Sequence, residues 1–217
     1  MVRGLRGCGL SSSSHASEVY AMSPIQEAMN GISMVVPTVV LGLDAWTTGD
    51  WHVTVLLLGS CMHLPVSFTY HLSVACGRYR DRLDNDMRRL DQSMQHVVGT
   101  LYCFALSGSL WYMIANAVFN GVSVVKLWDA RTSNDGRRWV RVMVSMLLYT
   151  GPVIWRGDYW NYGVVVASMA LCGVCFVPRV NCGVFSGWGH TMFHVILGFY
   201  ASALARSALK VGGIGST

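Results

Sequence analysis

Residues 51–76 read WHVTVLLLGSCMHLPVSFTYHLSVAC and contain no aspartate, glutamate, lysine or arginine. As an α-helix this stretch would be about 39 Å long, which exceeds the roughly 30 Å of hydrocarbon in a bilayer. A surface helix of a soluble protein carries charged residues on the face that meets water, and this stretch has no such face. It therefore predicts a transmembrane helix.

Six further segments share the low charge and apolar character of this stretch. Only 12% of the 217 residues are charged, which is about half the share typical of soluble domains. The seven predicted spans are residues 25–43, 51–76, 90–106, 110–128, 139–155, 162–177 and 189–209. The predicted fold class is all-α: a seven-transmembrane-helix bundle over residues 25–209, with a polar N-terminal tail at 1–24 and a C-terminal tail at 210–217.

The positions of tryptophan and of the basic residues support seven spans. All eight tryptophans lie at or near predicted span ends, where the indole ring favours the lipid headgroup region. With seven spans, 13 of the 16 basic residues fall on one side of the membrane, and only Arg156, Arg206 and Lys210 fall on the other. The positive-inside rule then places the N-terminus in the cytosol, or in the matrix of a mitochondrion.

The same charge pattern argues against nucleic-acid binding. The net charge is +5, but the basic residues lie next to the membrane and alternate with Asp81, Asp84 and Asp86. The seven cysteines are odd in number and irregular in spacing, which argues against a disulfide framework. We expect membrane lipids, and other subunits of a membrane complex, as the partners of this chain.

The N-terminal tail allows two interpretations. Arg3, Arg6 and a serine run at 11–14 precede the first acidic residue, Glu18, and this composition resembles a mitochondrial transit peptide. An ordinary polar tail is the alternative. The first interpretation makes the mitochondrial inner membrane a candidate location.

Ionisable residues within the predicted spans are the candidates for function, because they are costly in a bilayer. His71 lies near the end of the second span, Asp91 near the start of the third, and His190 and His194 near the start of the seventh. In a seven-span topology these ends all lie at the same face. The four residues are therefore expected at a similar depth.

The spacing of these residues suggests a metal site between helices 2, 3 and 7. His190 and His194 are four positions apart, so both rings project from one helix face. With His71 they make three nitrogen ligands, which together with an open position describe a catalytic zinc site. Asp91 is the candidate general base, and Ser67, one turn before His71, is the candidate group that orients water or stabilises an oxyanion. Alternatively, the histidines are inert and hydrogen-bonded at a helix start.

Two other histidines and three polar residues of the fourth span are expected to have simpler roles. His63, two turns before His71, can face the same interior, whereas His96 has no evident function. Asn116, Asn120 and Ser123 are expected to hydrogen-bond across helices.

The pattern S-x-x-x-H at Ser67–His71, Leu90-Asp91, and HTMFHV from His190 resembles the CREST superfamily. This superfamily includes alkaline ceramidases, progestin and adiponectin receptors, hemolysin III-like proteins and transmembrane-8 proteins. The resemblance implies zinc held by the three histidines, with Asp91 and Ser67 near its water. It also implies hydrolysis of lipid amides such as ceramide.

Two functions follow from the sequence. The first is an intramembrane zinc-dependent hydrolase that acts on a lipid amide or ester. The second is a non-catalytic accessory subunit of a larger membrane assembly, such as a respiratory complex of the mitochondrial inner membrane, that retains the fold and the metal.

Overall fold

The computed structural model describes residues 22–79, 85–129, 135–177 and 180–213, and within these ranges it is all-helical, without strands. The eight α-helices are α1 (Pro24–Ser33), α2 (Val35–Thr48), α3 (Trp51–Ala75), α4 (Asp86–Ser107), α5 (Leu110–Trp128), α6 (Asp135–Trp155), α7 (Tyr159–Cys175) and α8 (Gly189–Leu209), with a π-helical turn at Val180–Val184. The all-α prediction is confirmed. Residues 1–21 and 214–217 of the predicted tails lie outside the described residues.

Four helical segments are long and apolar enough to cross a membrane: Pro24–Thr48, which joins α1 and α2, together with Trp51–Ala75, Leu110–Trp128 and Gly189–Leu209. They indicate an integral membrane protein. The eight tryptophans lie close to helix ends and are exposed on the surface of the protein, as a headgroup position requires.

Capping side chains determine where several helices begin. Ser23 and Gln26 form a reciprocal capping box at the start of α1, and Pro24 occupies the first helical turn. Asp50 accepts hydrogen bonds from the backbone N–H groups at the start of α3. The Asn85 side chain accepts from the Arg88 N–H, so α4 begins four residues before the predicted span.

The first predicted span is two helices rather than one. The chain turns at Met34, whose N–H contacts the carbonyls of Gly31 and Ile32 instead of continuing the regular helical ladder. Just before this turn, the Ser33 hydroxyl donates to the Asn30 carbonyl, an internal bond of the kind that bends helices. As a result, the helical segment Pro24–Thr48 is interrupted at Met34, and α1 is its short first part.

The centre of the bundle is α8, which packs against α1, α2, α3, α4 and α7. Small residues on α8, among them Gly198, Ala201 and Ala205, allow this close approach. Leu41, Leu106 and Leu204 are fully buried in the core around it. Because α8 begins with His190 and His194, its central position carries both rings towards the interior of the bundle.

A polar clamp closes the bundle at the C-terminal end of α8. The Arg156 guanidinium donates to the Leu106 and Ser207 carbonyls, and Lys210 Nζ lies 2.7 Å from Asp158 Oδ1. Burial opposes ionisation of Asp158, but hydrogen bonds from Lys210, Asn161 and Ser207 outweigh it and lower the pKa of this carboxyl. The clamp connects α4 and the end of α8 to the turn between α6 and α7, on the side away from the histidines.

Candidate metal centre

Three histidines from α3 and α8 converge near the N-terminal end of α8. His71, His190 and His194 can each offer one ring nitrogen, and these three atoms lie within 4.8 Å of one another. His71 and His194 are buried, and His190 is partly buried. The predicted histidine ligands are therefore brought together, close enough to bind one metal ion.

Glu27 of α1 determines which nitrogen of His71 carries the proton. The Glu27 carboxylate lies 3.0 Å from Nδ1 of His71, and both side chains are buried. A carboxylate accepts, so Nδ1 carries the proton and donates. The lone pair of His71 is then on Nε2.

Ser33 determines which nitrogen of His194 carries the proton, as Glu27 does for His71. The Ser33 hydroxyl donates its single proton to the Asn30 carbonyl, over 2.9 Å. It can therefore only accept from Nδ1 of His194, which lies 2.8 Å away. The lone pair of His194 is accordingly on Nε2, so both histidines can offer Nε2 to a metal ion.

The donor set fits a divalent transition metal. Metal-bound histidines are neutral and usually donate the other ring N–H to a carboxylate or another oxygen, as His71 and His194 do here. Nitrogens around a tetrahedral zinc lie about 3.3 Å apart, given Zn–N bonds of about 2.0–2.1 Å. The three rings need to move together by about 1–2 Å at most to reach that spacing.

Asp91 of α4 lies beside the cluster and is held by two side chains of α3. His63 Nε2 lies 2.9 Å from Asp91 Oδ1, and the Ser67 hydroxyl also hydrogen-bonds to this carboxylate. Asp91 lies close enough to His71 and His190 for an electrostatic interaction with both rings. Ser67 and Asp91, both buried, therefore lie together as the sequence predicts, and His63 joins them.

Aromatic rings close one side of the cluster. The ring centroids of Phe176 and Phe193 lie 5.4 Å and 5.8 Å from that of His190, in edge-on contact. Trp139 packs in turn against Phe176. These rings form an apolar wall beside His190.

Sequence reasoning missed the contribution of α1. Its polar face supplies Glu27 and Ser33 to the histidines, and Asn30 accepts from the Thr191 hydroxyl at 2.7 Å. A Cβ on Gly31 would lie 3.3 Å from the Cβ of His71, so glycine permits α1 to pack this closely. Glu27 had a usable signal: it is an ionisable residue within a predicted span, like Asp91.

Comparison with known proteins finds no match for this chain among family models, curated proteins or solved structures. The function proposed below therefore depends on the geometry of the chain's own residues. The motif pattern of Ser67, His71, Asp91, His190 and His194 provides the additional support.

Proposed function

We propose that this chain is an intramembrane zinc-dependent hydrolase that cleaves a lipid amide or ester, in the manner of a ceramidase. The observation that carries the proposal is the convergence of three histidine nitrogens within 4.8 Å, beside a carboxylate held by His63. Three nitrogen ligands with a free fourth position are typical of hydrolytic zinc sites.

Each polar side chain of the site has a role in the proposed reaction. When bound, zinc polarises the substrate carbonyl and makes water nucleophilic near neutral pH. Asp91 accepts the proton of the attacking water and returns it to the leaving amine or alcohol. His63 donates to Asp91 Oδ1 and so holds the carboxylate towards the histidines, and the Ser67 hydroxyl orients the same carboxylate.

Seven membrane crossings are part of the proposal. In addition to the four apolar segments, α4 and α6 carry their Asp, Lys and Arg residues in the first two turns and none beyond them, and α7 is apolar but shorter. Seven crossings place most of the basic residues on the face nearest the histidines. By the positive-inside rule, that face and the N-terminus are then cytosolic, or in the matrix of a mitochondrion.

We further propose that the chain belongs to the CREST superfamily. The support is the S-x-x-x-H, aspartate and H-x-x-x-H pattern, together with the spatial convergence of Ser67, His71, Asp91, His190 and His194. Family membership leads to the expectation of a lipid amide as substrate.

Zinc content and turnover of the full-length protein, reconstituted in lipid, test the proposal. We expect about one zinc per chain and release of fatty acid from a fluorescent ceramide or a matched ester. Asp91→Ala should keep the zinc and lower turnover by about 10²-fold or more, because it removes a general base without removing a ligand. His194→Ala should lose both zinc and turnover.

Asp158→Asn is the matched control, since it neutralises a buried carboxylate in the polar clamp away from the histidines. It should change neither zinc content nor turnover. Full activity in Asp91→Ala would refute the catalytic role, and wild-type protein that binds no zinc would refute the metal site.

A specific observation favours the second candidate, a non-catalytic accessory subunit of a larger membrane complex. His71, His194, Asp91 and Ser67 are all buried, and a closed site is typical of structural metals. In this case the metal joins α3 to α8, and chelation lowers the thermal stability of the bundle without any turnover to lose. Purification as an active free monomer would contradict this candidate.

A further inference from the structure

A second polar feature lies between α4 and α5, away from the histidine cluster. A groove of about 370 Å³ separates the two helices, within the size range of small-molecule sites. Its deep part is polar and buried, with His96 and Asn120, and its rim includes the exposed residues Val97 and Gly121. None of its lining residues belongs to the candidate metal centre.

The hydrogen bonds at the base of the groove fix the orientation of each polar group. The Thr100 hydroxyl donates to the His96 carbonyl at 3.1 Å, so it accepts from Asn120 Nδ2 at 3.0 Å. The Asn120 amide nitrogen also donates to Asn116 Oδ1. The remaining atom of the Asn120 side chain, Oδ1, therefore faces Nδ1 of His96, 2.8 Å away.

This arrangement determines the chemistry that His96 offers to the groove. Because Asn120 Oδ1 can only accept, Nδ1 of His96 carries the proton and donates. In apolar surroundings the imidazole stays neutral, so Nε2 is a proton-free acceptor. Nε2 is also the ring nitrogen that can accept from a ligand in the groove, because Nδ1 donates to Asn120.

The position of the groove limits its ligand to molecules that dissolve in the bilayer. His96 lies about 15 Å along α4 from its first residue, and α5 is one of the four apolar segments. A Cβ on Gly121 would meet nothing within 4 Å, so the rim is open at this point. The surrounding wall is otherwise made of aliphatic side chains and of Ala117.

We propose that this groove binds a lipid alcohol, whose hydroxyl donates to Nε2 of His96 and whose hydrocarbon lies along α4 and α5. An acceptor at the base of an apolar groove selects a ligand with a donor, which a hydroxyl supplies and an ester or ketone carbonyl does not. Asn116 belongs to the same hydrogen-bond network without lining the groove, and its buried Nδ2 has no hydrogen-bond partner among the described residues. Buried polar groups without a partner are costly, and a network that keeps one in a membrane helix is a functional candidate.

Photolabelling of the full-length protein in phosphatidylcholine nanodiscs tests this site. The probes are a long-chain alcohol that carries a photoactivatable group on its chain, and its methyl ether, which lacks the donor. Labelled peptides are located by mass spectrometry. We expect the alcohol to label the α4 and α5 peptides about five-fold more than the ether does, the effect of one hydrogen bond.

Two variants address the base and the rim separately. His96→Phe keeps a ring at this position and removes the Nε2 acceptor, and it should reduce alcohol labelling to the level of the ether. Gly121→Leu fills the groove from its open rim and should reduce labelling by both probes. Gly163→Leu is the matched control, because Gly163 is an exposed glycine of α7 with open space around it, and it should leave labelling unchanged.

Competition identifies the source of the hydroxyl. Displacement of the probe by excess sterol or by excess diacylglycerol assigns the site to one of these lipid alcohols. Equal labelling by alcohol and ether, or equal labelling in all variants, would overturn the proposal. So would cross-links at these peptides to a helix of another protein, since the groove would then be a helix-docking surface.

Discussion

Replacement of Glu27 by glutamine tests the least expected part of the candidate site. Glu27 belongs to α1, and its carboxylate lies 3.0 Å from Nδ1 of His71, where both side chains are buried. Glutamine has nearly the same shape and its Oε1 can still accept from Nδ1. The substitution therefore removes the negative charge and leaves the packing in place.

The size of the effect follows from the charge of the hydrogen bond. A bond to a carboxylate is about twice as strong as one to a neutral amide oxygen. Loss of the partner of a metal-bound histidine typically weakens metal binding by about 10- to 100-fold. We expect Glu27→Gln to weaken zinc binding by about tenfold, or about 1.4 kcal/mol, and Glu27→Ala by about 100-fold.

The assay is competition for zinc between the full-length protein in detergent and a fluorescent chelator of known affinity. Asp158→Asn serves as the matched control, because it makes the same carboxylate-to-amide change in the polar clamp away from the histidines. It should lower thermal stability and leave the zinc Kd within about twofold.

Two results would refute the reasoning about Glu27. The first is a zinc Kd in Glu27→Gln that equals the wild-type value while His194→Ala still abolishes binding. The second is an equal loss of zinc affinity in Asp158→Asn, which would show that Kd reports general loosening of the bundle.

Two further predictions concern stability. The pKa of Asp158 is lowered in the folded protein. Its ion pair with Lys210 therefore stabilises the fold fully at pH values above the ordinary aspartate pKa of 3.8. This stabilisation is lost as the pH falls through the lowered pKa. The melting temperature of Asp158→Asn should therefore fall less on acidification than that of wild type. Parallel plots of melting temperature against pH for the two proteins would contradict this prediction. Leu204→Ala opens a cavity in the core next to α8 and should lower the unfolding free energy by about 2–5 kcal/mol, measured by denaturant titration in detergent. The zinc content of Leu204→Ala should be unchanged. An unfolding free energy lowered by less than about 1 kcal/mol would show that the cavity collapses or that Leu204 is not packed as described.

Much of the helical organisation could be predicted from sequence because apolar segments of sufficient length have few alternatives. The predicted limits 110–128 and 189–209 coincide with α5 and α8. The limits differ where a local hydrogen bond decides the helix start, as at Asn85, whose side chain begins α4 four residues early. The break at Met34 was not predictable from hydropathy, since residues 25–43 are apolar on both sides of it.

The polar residues of the fourth predicted span show which of the predicted hydrogen bonds across helices form. Asn120 hydrogen-bonds across to His96 and Thr100 of α4, as expected of a polar residue in a span. Ser123 instead bonds back to the Phe119 carbonyl of its own helix, and Asn116 bonds to Asn120 within α5. No sequence pattern singled out His96, whose hydrogen-bonding role depends on these neighbours.

The sequence alone determined the membrane character of the chain, its helical class and the identity of the ligand candidates. Hydropathy, tryptophan position and the rarity of ionisable residues in spans are local properties, and they select His71, Asp91, His190 and His194 without a structure. Only the tertiary structure decided which atoms of these residues face one another. The proton position on His71 depends on Glu27, which lies 44 residues away, and that on His194 depends on Ser33, which lies 161 residues away. Such contacts arise from the way α1 packs between α3 and α8, and no periodicity in the chain encodes them.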